Sequence, residues 1–367
     1  MGYLYKRTIT IDDTKVSGAA DLESFPVLIS GTYDYLATVA NGGKVTDDNG
    51  YDIIFTSDSE GNTQLDHEIE SYTNTTGAVN FWVRIPALDG DAPTVIYMFY
   101  ANSEVTTSQE NIGGVWDASY QGVWHMNDLT TSTIKDSAST NNGTKKGANE
   151  PAVSASGKVG SCQDFAGTDD KITIPYNASL CPANALTIEG WINWDNLASA
   201  AQVPVSNRGD TDNGFFLRSL STTSKLQFYV CNNPNWAGIT SDDALNNTTW
   251  YYVFAMYDKS NLYLYLNGVS AATPVAETDA ITYTADTALV LGCALPYDDT
   301  YYFAGLMDEL RISSIARSTD WGITCFNNQS SPATFYAVGD ETPVVTGTTN
   351  HLEFYRRTRF PGSITGL

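Results

Sequence analysis

Alternating apolar and polar positions along the chain predict strands, and the most strongly patterned stretch is residues 249–269, TWYYVFAMYDKSNLYLYLNGV. Its even positions 250–256 and its odd positions 251–257 are both apolar or aromatic. In an extended chain these two sets point to opposite faces, so we expect a strand that is buried on both sides.

A second strand follows this one after a short turn. Residues 258–261 (DKSN) have turn chemistry, alternation resumes through Leu262, Leu264 and Leu266, and it stops at the turn pair Asn267-Gly268. The two strands form a predicted hairpin. Because both strands are so apolar, the hairpin needs a second sheet to cover it, which predicts a β-sandwich.

The same kind of reading divides the chain into two all-β domains. Six strand-like segments separated by Gly, Asp and Asn turns predict a first domain over residues 1–103, and the polar residues 104–121 form a connector. A second set of strands predicts another sandwich over 122–341, with one brief helix at Ser318-Thr319-Asp320-Trp321. Residues 342–367 lose the pattern and are interpreted as a tail.

The charge balance narrows the function classes. The chain has 367 residues, with 42 acidic against 19 basic residues and a net charge of -23. Such a surface repels nucleic acid and anionic membranes, so neither is an expected partner. It suits a protein in a salty exterior and supplies carboxylates for cations. The basic exception is Arg356, Arg357 and Arg359, for which a flexible tail and a segment that docks onto another subunit are both open.

The cysteines and the apolar runs add little to the functional assignment. The five cysteines are widely spaced, odd in number and without a CxxC pair, so zinc is not expected; one or two disulfides and buried free cysteines are both open. No run reaches the roughly 18 apolar residues of a membrane span, so membrane insertion is not expected. Residues 1–12 alternate like a strand and do not resemble a signal peptide.

The first domain resembles a known family. The segments YKRTITID, FPVLIS, NGYDIIFTSDSEGNTQLDHEIESY, FWVRIPAL and TVIYMFYAN are similar, in this order, to the bacterial and phage domain of unknown function 2341. That resemblance implies no activity. It implies a surface-exposed, multi-domain context.

The second domain resembles the concanavalin A-like, laminin-G-type jelly roll. The similarity rests on GVWHMN, DSA, NNGT, GKVG, FAGTDDKITI, ALTIEGWI, the hairpin and FAGLMDELRI, in the family's order. The resemblance implies a structural calcium ion with Asp308 and Asp136 as ligands, completed by backbone carbonyls. Hydrogen bonding or an ion pair with Arg311 is the alternative for Asp308.

Two loops have the residues that proteins use for sugars, namely aromatic rings beside amides and carboxylates. They are residues 231–236, which end in Trp236, and residues 296–302, which contain Tyr297 and Tyr301. The loop 207–214 adds Asn207 and Asp212, although Ser221 stands where a helix–loop–helix calcium motif would need Glu. Simple packing of these aromatics is the alternative.

These observations predict a non-catalytic protein, extracellular, on a cell surface or on a virion, whose jelly roll binds a glycan or a surface protein. A purely structural subunit of a phage or surface assembly is the first alternative. A glycoside hydrolase is the second, since Glu68 and Glu70 alternate on one strand as paired catalytic carboxylates would. Those two acids lie in the first domain, outside the sandwich that resembles glycanases, and the three histidines form no recognisable triad.

Overall fold

The structure is a computed structural model that describes residues 2–129, 132–145, 150–209, 212–294 and 301–344. Within these ranges nearly all regular structure is β, which confirms the all-β prediction. Tyr297 and the three arginines of the predicted docking tail lie outside the described residues. No helix in the described ranges is both long and apolar enough to cross a bilayer.

The first part of the chain contributes six strands and a one-turn helix. They are β1 Tyr5–Ile11, β2 Leu22–Thr32, β3 Ile54–Thr56, β4 His67–Thr73, β5 Ala78–Leu88, β6 Thr94–Tyr100 and α1 Ile112–Val115. Short 3₁₀ turns lie at Asp13–Lys15, Asp34–Leu36 and Val39–Asn41. Strands β2, β5 and β4 pair in that order, and β1, β6 and β3 belong to a second antiparallel sheet. The two sheets enclose the core of the first sandwich.

The second sandwich contains seventeen described strands. They are β7 Tyr120–Trp124, β8 Thr133–Ile134, β9 Gly143–Lys145, β10 Ala152–Ser154, β11 Cys162–Ala166, β12 Ile172–Ile174, β13 Leu186–Trp194, β14 Gln202–Asn207, β15 Gly214–Ser219, β16 Leu226–Cys231, β17 Trp236–Thr240, β18 Trp250–Tyr257, β19 Asn261–Leu266, β20 Val269–Ser270, β21 Val275–Ala276, β22 Leu289–Leu291 and β23 Ala304–Ser313. A 3₁₀ turn lies at Ala178–Leu180.

These strands form the two layers that the hairpin required. One sheet has nine described strands, with the path β10-β11-β23-β13-β18-β19-β20 and with β7 on β23 and β21 on β19. The other has eight, in the order β17-β16-β15-β14-β22-β12-β9-β8. The predicted hairpin is β18–β19 and lies inside the nine-stranded sheet. The jelly-roll prediction is therefore confirmed.

The central strand β18 is buried on both faces, as predicted, and each face has a different neighbour. Val253, Ala255 and Tyr257 belong to the core between the two jelly-roll sheets. Tyr252 and Phe254 belong to the apolar cluster that continues into the first domain. The nine-stranded sheet therefore separates two cores, and its outer face is covered by the rest of the molecule.

The end of the chain supplies much of that cover. Helix α2 (Thr319–Ser330) starts where the sequence predicts, with Ser318 as N-cap accepting a hydrogen bond from the Trp321 amide at 3.1 Å. Trp321 packs on Phe25 of β2 at 4.7 Å between ring centroids. Asn328 exchanges two hydrogen bonds with the Leu28 backbone, at 2.7 and 3.1 Å, and so pairs an edge strand that would otherwise be open.

The chain then returns to the first domain. After helix α3 (Pro332–Phe335), strands β24 (Tyr336–Val338) and β25 (Thr342–Pro343) both pair with β1. The sequence placed residues up to 341 in the second domain and began a tail at 342. The structure differs, because this segment completes the five-stranded sheet of the first domain. Alternation over three residues is too short to identify a strand whose partner lies more than 300 positions away.

Candidate functional site

The outer face of the eight-stranded sheet carries a cluster of aromatic side chains, which we call the aromatic face: Phe216, Tyr229 and Trp236. Along β15 and β16 the side chains alternate, so Phe215 and Phe228 enter the sandwich core while Phe216 and Tyr229 point outward. Phe216 faces Tyr229 directly across the ladder. Trp236, at the start of β17, packs against both rings and is half-buried.

The three rings pack against one another; Phe216 is buried, at 6% exposure, whereas Tyr229 and Trp236 are partly exposed. Phe216 and Tyr229 stack with centroids 5.1 Å apart and an interplanar angle of 18°. Trp236 lies 5.1 Å from Phe216 and 6.3 Å from Tyr229. Gly238 is the register partner of Tyr229, and a Cβ there would meet the Tyr229 ring at 2.3 Å. The missing side chain at Gly238 therefore lets the tyrosine ring lie flat over the neighbouring strand.

Polar groups border the rings. The Arg218 guanidinium lies 5.5 Å from the centroids of both Phe216 and Tyr229, and it donates to the Gln227 side-chain oxygen at 2.7 and 3.1 Å. The Trp236 indole N–H donates to Asp212 Oδ1 at 2.9 Å. Flat apolar rings beside a fixed guanidinium, an amide and a carboxylate are the chemistry that holds a sugar ring by stacking and by its hydroxyl groups.

The structure brings together three of the five residues predicted to bind a ligand. Trp236 and Asp212 are hydrogen-bonded, and Tyr301 packs against the same small apolar cluster as Trp236. Asn207 lies elsewhere: its side chain is 1% exposed and donates to the Leu180 carbonyl at 3.0 Å. Tyr297 is outside the described residues. The sequence did not identify Phe216, Tyr229 or Arg218, although their alternation with core residues on β15 and β16 could have indicated them.

A separate cavity of about 330 Å³ opens near the hairpin. It is lined by residues 241–244 and 269–271 together with Tyr251, Leu266 and Asn267. Its volume falls within the usual range for ligand pockets. It lacks a group of stacked rings, and it serves below as a comparison site.

A second polar feature lies where the two domains meet. We call it the seam cluster: Glu68 and Glu70 from β4, His125 after β7, Glu189 from β13, and Asp308, Glu309 and Arg311 from β23. All seven side chains are buried. Among them the His125 Nδ1–Glu309 Oε1 distance is 2.7 Å, and Arg311 donates to Glu309 Oε2 at 2.6 Å.

Aromatic side chains surround these charges. The Arg311 guanidinium lies 4.3 Å from the Trp82 ring centroid and 4.8 Å from that of Trp116. The two indole N–H groups are also donors, from Trp82 to Glu70 Oε2 and from Trp116 to Glu68 Oε2, both at 2.8 Å. The seam is therefore a hydrogen-bonded ionic network inside an aromatic shell, built from both domains.

A bulge presents the acids of β23 to the seam. Pairing between β13 and β23 shifts register between Glu189 and Trp191, and Glu309 has a φ of +51°. A Cβ on Gly190 would lie 3.0 Å from the Leu310 Cα, so glycine permits the close approach. The extra residue turns consecutive acids Asp308 and Glu309 away from the sandwich core, where strict alternation would bury one of them.

The carboxylates of the seam have unequal proton affinities. Burial and the charge of Glu309 raise the pKa of Glu70 and that of Asp308 well above their usual range. Burial alone would lower the pKa of His125, but the Glu309 and Glu68 carboxylates outweigh it and raise that pKa well above its usual range. For Glu68, burial favours the neutral acid, yet His125 lowers the net pKa below its usual value.

The two predicted calcium ligands occupy separate hydrogen-bonding environments. Asp136 accepts from the amides of Val123, Ala138 and Asn141 and from the Ser139 hydroxyl, at 2.6 to 2.9 Å. Asp308 Oδ2 accepts from the amides of Lys158 and Val159 at 2.7 and 2.9 Å. A calcium ion at Asp136 would have to displace several of these bonds. The calcium site implied by the resemblance is untested, and the hydrogen bonds at Asp136 argue against it.

Comparison with family models gives two matches. Residues 49–138 match the domain of unknown function DUF2341, and residues 166–321 match the concanavalin A-like lectin/glucanases superfamily. The predicted order of families is confirmed. The DUF2341 match includes Glu68, Glu70 and His125, whereas the lectin/glucanase match includes Glu309 and Arg311. The seam cluster therefore joins the two matched regions. A comparison with curated proteins gave no match.

Comparison with solved structures gave matches that share little sequence with the chain. Domain 4 of AbnA, a GH43 extracellular arabinanase from Geobacillus stearothermophilus, was solved with arabinotriose. It is 18% identical and matches 58% of this chain and 100% of that one, with a TM-score of 0.47. The binding domain of Paraclostridial Mosquitocidal Protein 1 is 13% identical, over 57% and 52% of the two chains, with a TM-score of 0.45. A botulinum neurotoxin type C structure, titled for its interaction with two ganglioside molecules, is 12% identical over 57% and 51%, with a TM-score of 0.46.

Proposed function

We propose that this is a non-catalytic, glycan-binding protein of the cell exterior or of a virion, and that the aromatic face is its binding surface. The observation that carries the proposal is the pair of partly exposed rings of Tyr229 and Trp236, which pack on the buried Phe216 beside Arg218. This group lies on the outer side of the eight-stranded sheet, whereas the outer side of the nine-stranded sheet is covered by the first domain and α2.

The absence of catalysis is part of this proposal. The seam brings several carboxylates together, including those of Glu68 and Glu70, and the cavity beside these two measures about 80 Å³. Ligand pockets usually measure roughly 300 Å³ or more, so a sugar chain has little room there. The seam carboxylates are also committed to indole, guanidinium and imidazole partners. Both facts favour a binding protein over a hydrolase.

The test is a glycan array followed by titration calorimetry on any ligand found, with the wild type and three variants. Trp236→Ala and Tyr229→Ala are expected to weaken binding about tenfold or more, since each removes a stacking ring. Tyr176→Ala is the matched control, because Tyr176 is an exposed jelly-roll tyrosine, 42% accessible, that lies outside the aromatic face.

The outcomes separate the alternatives. Binding that survives Trp236→Ala and Tyr229→Ala but disappears in Asp243→Ala would move the site to the cavity near the hairpin and refute the aromatic face. No ligand on a broad array would favour the structural-subunit alternative. Release of reducing sugar by the wild type that is lost in Glu68→Gln would establish the hydrolase alternative instead.

A further inference from the structure

The seam holds a set of potential metal ligands contributed by both domains. One ligand atom each from Glu70, His125 and Glu309 lies within 4.8 Å of the other two. The His125 Nδ1 atom is 2.7 Å from Glu309 Oε1 and 3.7 Å from Glu70 Oε2. The side chains are 7%, 0% and 0% exposed for His125, Glu70 and Glu309. The three atoms thus converge on one buried point.

A second group of contacts orients these ligands in the way that metal sites require. The other imidazole nitrogen, His125 Nε2, is 3.3 Å from Glu68 Oε2, which places a carboxylate behind the histidine. The distal oxygen of Glu309 is held by Arg311, and the Glu70 carboxylate accepts from the Trp82 indole. Glu68 in turn accepts from Ser137 at 2.6 Å.

Two observations independent of this spacing point to a cation. Asp308 is 0% exposed, yet its Oδ1 atom has no hydrogen-bond partner in the described part of the chain. The charges are also unbalanced: among the described residues, the seam cluster has the five carboxyl groups of Glu68, Glu70, Glu189, Asp308 and Glu309 against the two basic side chains of Arg311 and His125. Buried carboxylates without compensating charge are strongly unfavourable, so the seam needs protons or a metal.

We propose that the seam binds one divalent first-row transition metal ion, such as Zn²⁺, through Glu70, His125 Nδ1 and Glu309. One imidazole nitrogen with two carboxylate oxygens suits zinc and its neighbours, whereas calcium takes six to eight oxygen ligands. Glu70 comes from the first domain, whereas His125, which directly follows β7, and Glu309 come from the jelly roll. The ion therefore fastens the two domains together and is structural. The adjacent cavity, lined by Glu70, His125 and Asp128 among others, gives the ion a route from solvent.

The experiment uses the full chain, stripped with a chelator and reloaded with Zn²⁺ or Ca²⁺. The expected result is one equivalent of Zn²⁺ retained after gel filtration, measured by elemental analysis, and a rise of several degrees in the unfolding midpoint. Calcium at the same concentration is expected to leave the midpoint unchanged. His125→Gln and Glu70→Gln should each lose the bound zinc. Asp128→Asn is the matched control, because Asp128 lines the same cavity without belonging to the ligand group, and it should keep the zinc.

A spectroscopic measurement on the wild type keeps the test independent of whether the variants fold. X-ray absorption of the zinc-loaded protein should show one nitrogen ligand from histidine and oxygen ligands from carboxylates. Failure of the wild type to retain zinc would overturn the proposal and leave protons to neutralise the seam. Zinc retained with oxygen ligands alone, or retained undiminished by folded His125→Gln, would also overturn it.

Discussion

Replacing Arg311 tests how much the buried ion pairs of the seam contribute to the stability of the protein. Its side chain is 1% exposed and its guanidinium bonds Glu309 Oε2 at 2.6 Å, with Glu189 Oε1 at 3.8 Å from Nη1. In Arg311→Met the stem is retained but two buried carboxylates lose their cation. Removing one partner of a buried ion pair typically costs about 3–5 kcal/mol. At roughly 2 °C per kcal/mol for a chain of this size, the midpoint should fall by about 6 to 10 °C.

The assay is calorimetric and chemical unfolding of chelator-treated protein, so that bound metal does not contribute. Arg218→Met is the matched control: this arginine also contacts two aromatic rings and one side-chain oxygen, but it lies half-buried on the aromatic face. Loss of the Arg218 guanidinium should lower the free energy of unfolding by only about 1 kcal/mol. Adding Glu309→Gln to Arg311→Met should recover part of the stability, since it removes a carboxylate that has lost its partner. Equal stability of the two methionine variants would refute the reasoning.

Two further predictions concern acid stability and calcium. Burial disfavours ionised Asp117, but the bidentate Arg317 pair, at 2.6 and 2.9 Å, lowers its pKa overall. The pair therefore stabilises the fold fully above a pH of roughly 3.9, the pKa of an aspartate in the unfolded chain. This stabilisation is lost as the pH falls through the lower pKa that Asp117 has in the folded protein. Asp117→Asn should lower the free energy of unfolding, measured by urea denaturation, by about 1–2 kcal/mol at pH 7 and by less at pH 3. An equal difference between wild type and variant at both pH values would contradict this. For calcium, we expect no change in midpoint on adding Ca²⁺ to stripped protein, because Asp136 already accepts four hydrogen bonds. A rise that Asp136→Asn abolishes would establish the calcium site.

The layers of the fold could be predicted because they depend on local alternation. Residues 250–257 required cover on both faces, and the structure supplies a second sheet on one face and α2 with the first domain on the other. What alternation could not show is which partner covers the second face. That depends on a helix and two short strands after residue 318, which return to β1 and β2.

The aromatic face and the seam cluster were predictable to different degrees because their residues are separated by different distances along the sequence. Trp236 and Asp212 are only 24 positions apart and flank one group of neighbouring strands; residue type and loop position were enough to name both as candidates, and the structure shows that they are hydrogen-bonded. The seam joins Glu70, His125 and Glu309, which are far apart in sequence and lie in different domains. The sequence showed Glu68 and Glu70 as a pair and could not show what faces them. The turning of Asp308 and Glu309 to one side depends on a bulge that simple alternation does not reveal.

The order of the layers places the seam cluster and the aromatic face on opposite sides of the jelly roll. The first domain covers the outer face of the nine-stranded sheet, where the seam neutralises charge, so the jelly roll has its aromatic face on the opposite side of the sandwich. A ligand bound as proposed on the aromatic face would lie on the side of the sandwich opposite to the first domain. A change at the seam should therefore alter stability while leaving glycan affinity unchanged, provided that the protein remains folded. A loss of glycan binding by a folded Arg311→Met protein would mean that the two faces communicate through the sandwich core, and the view of the first domain as a rigid support would then have to be abandoned.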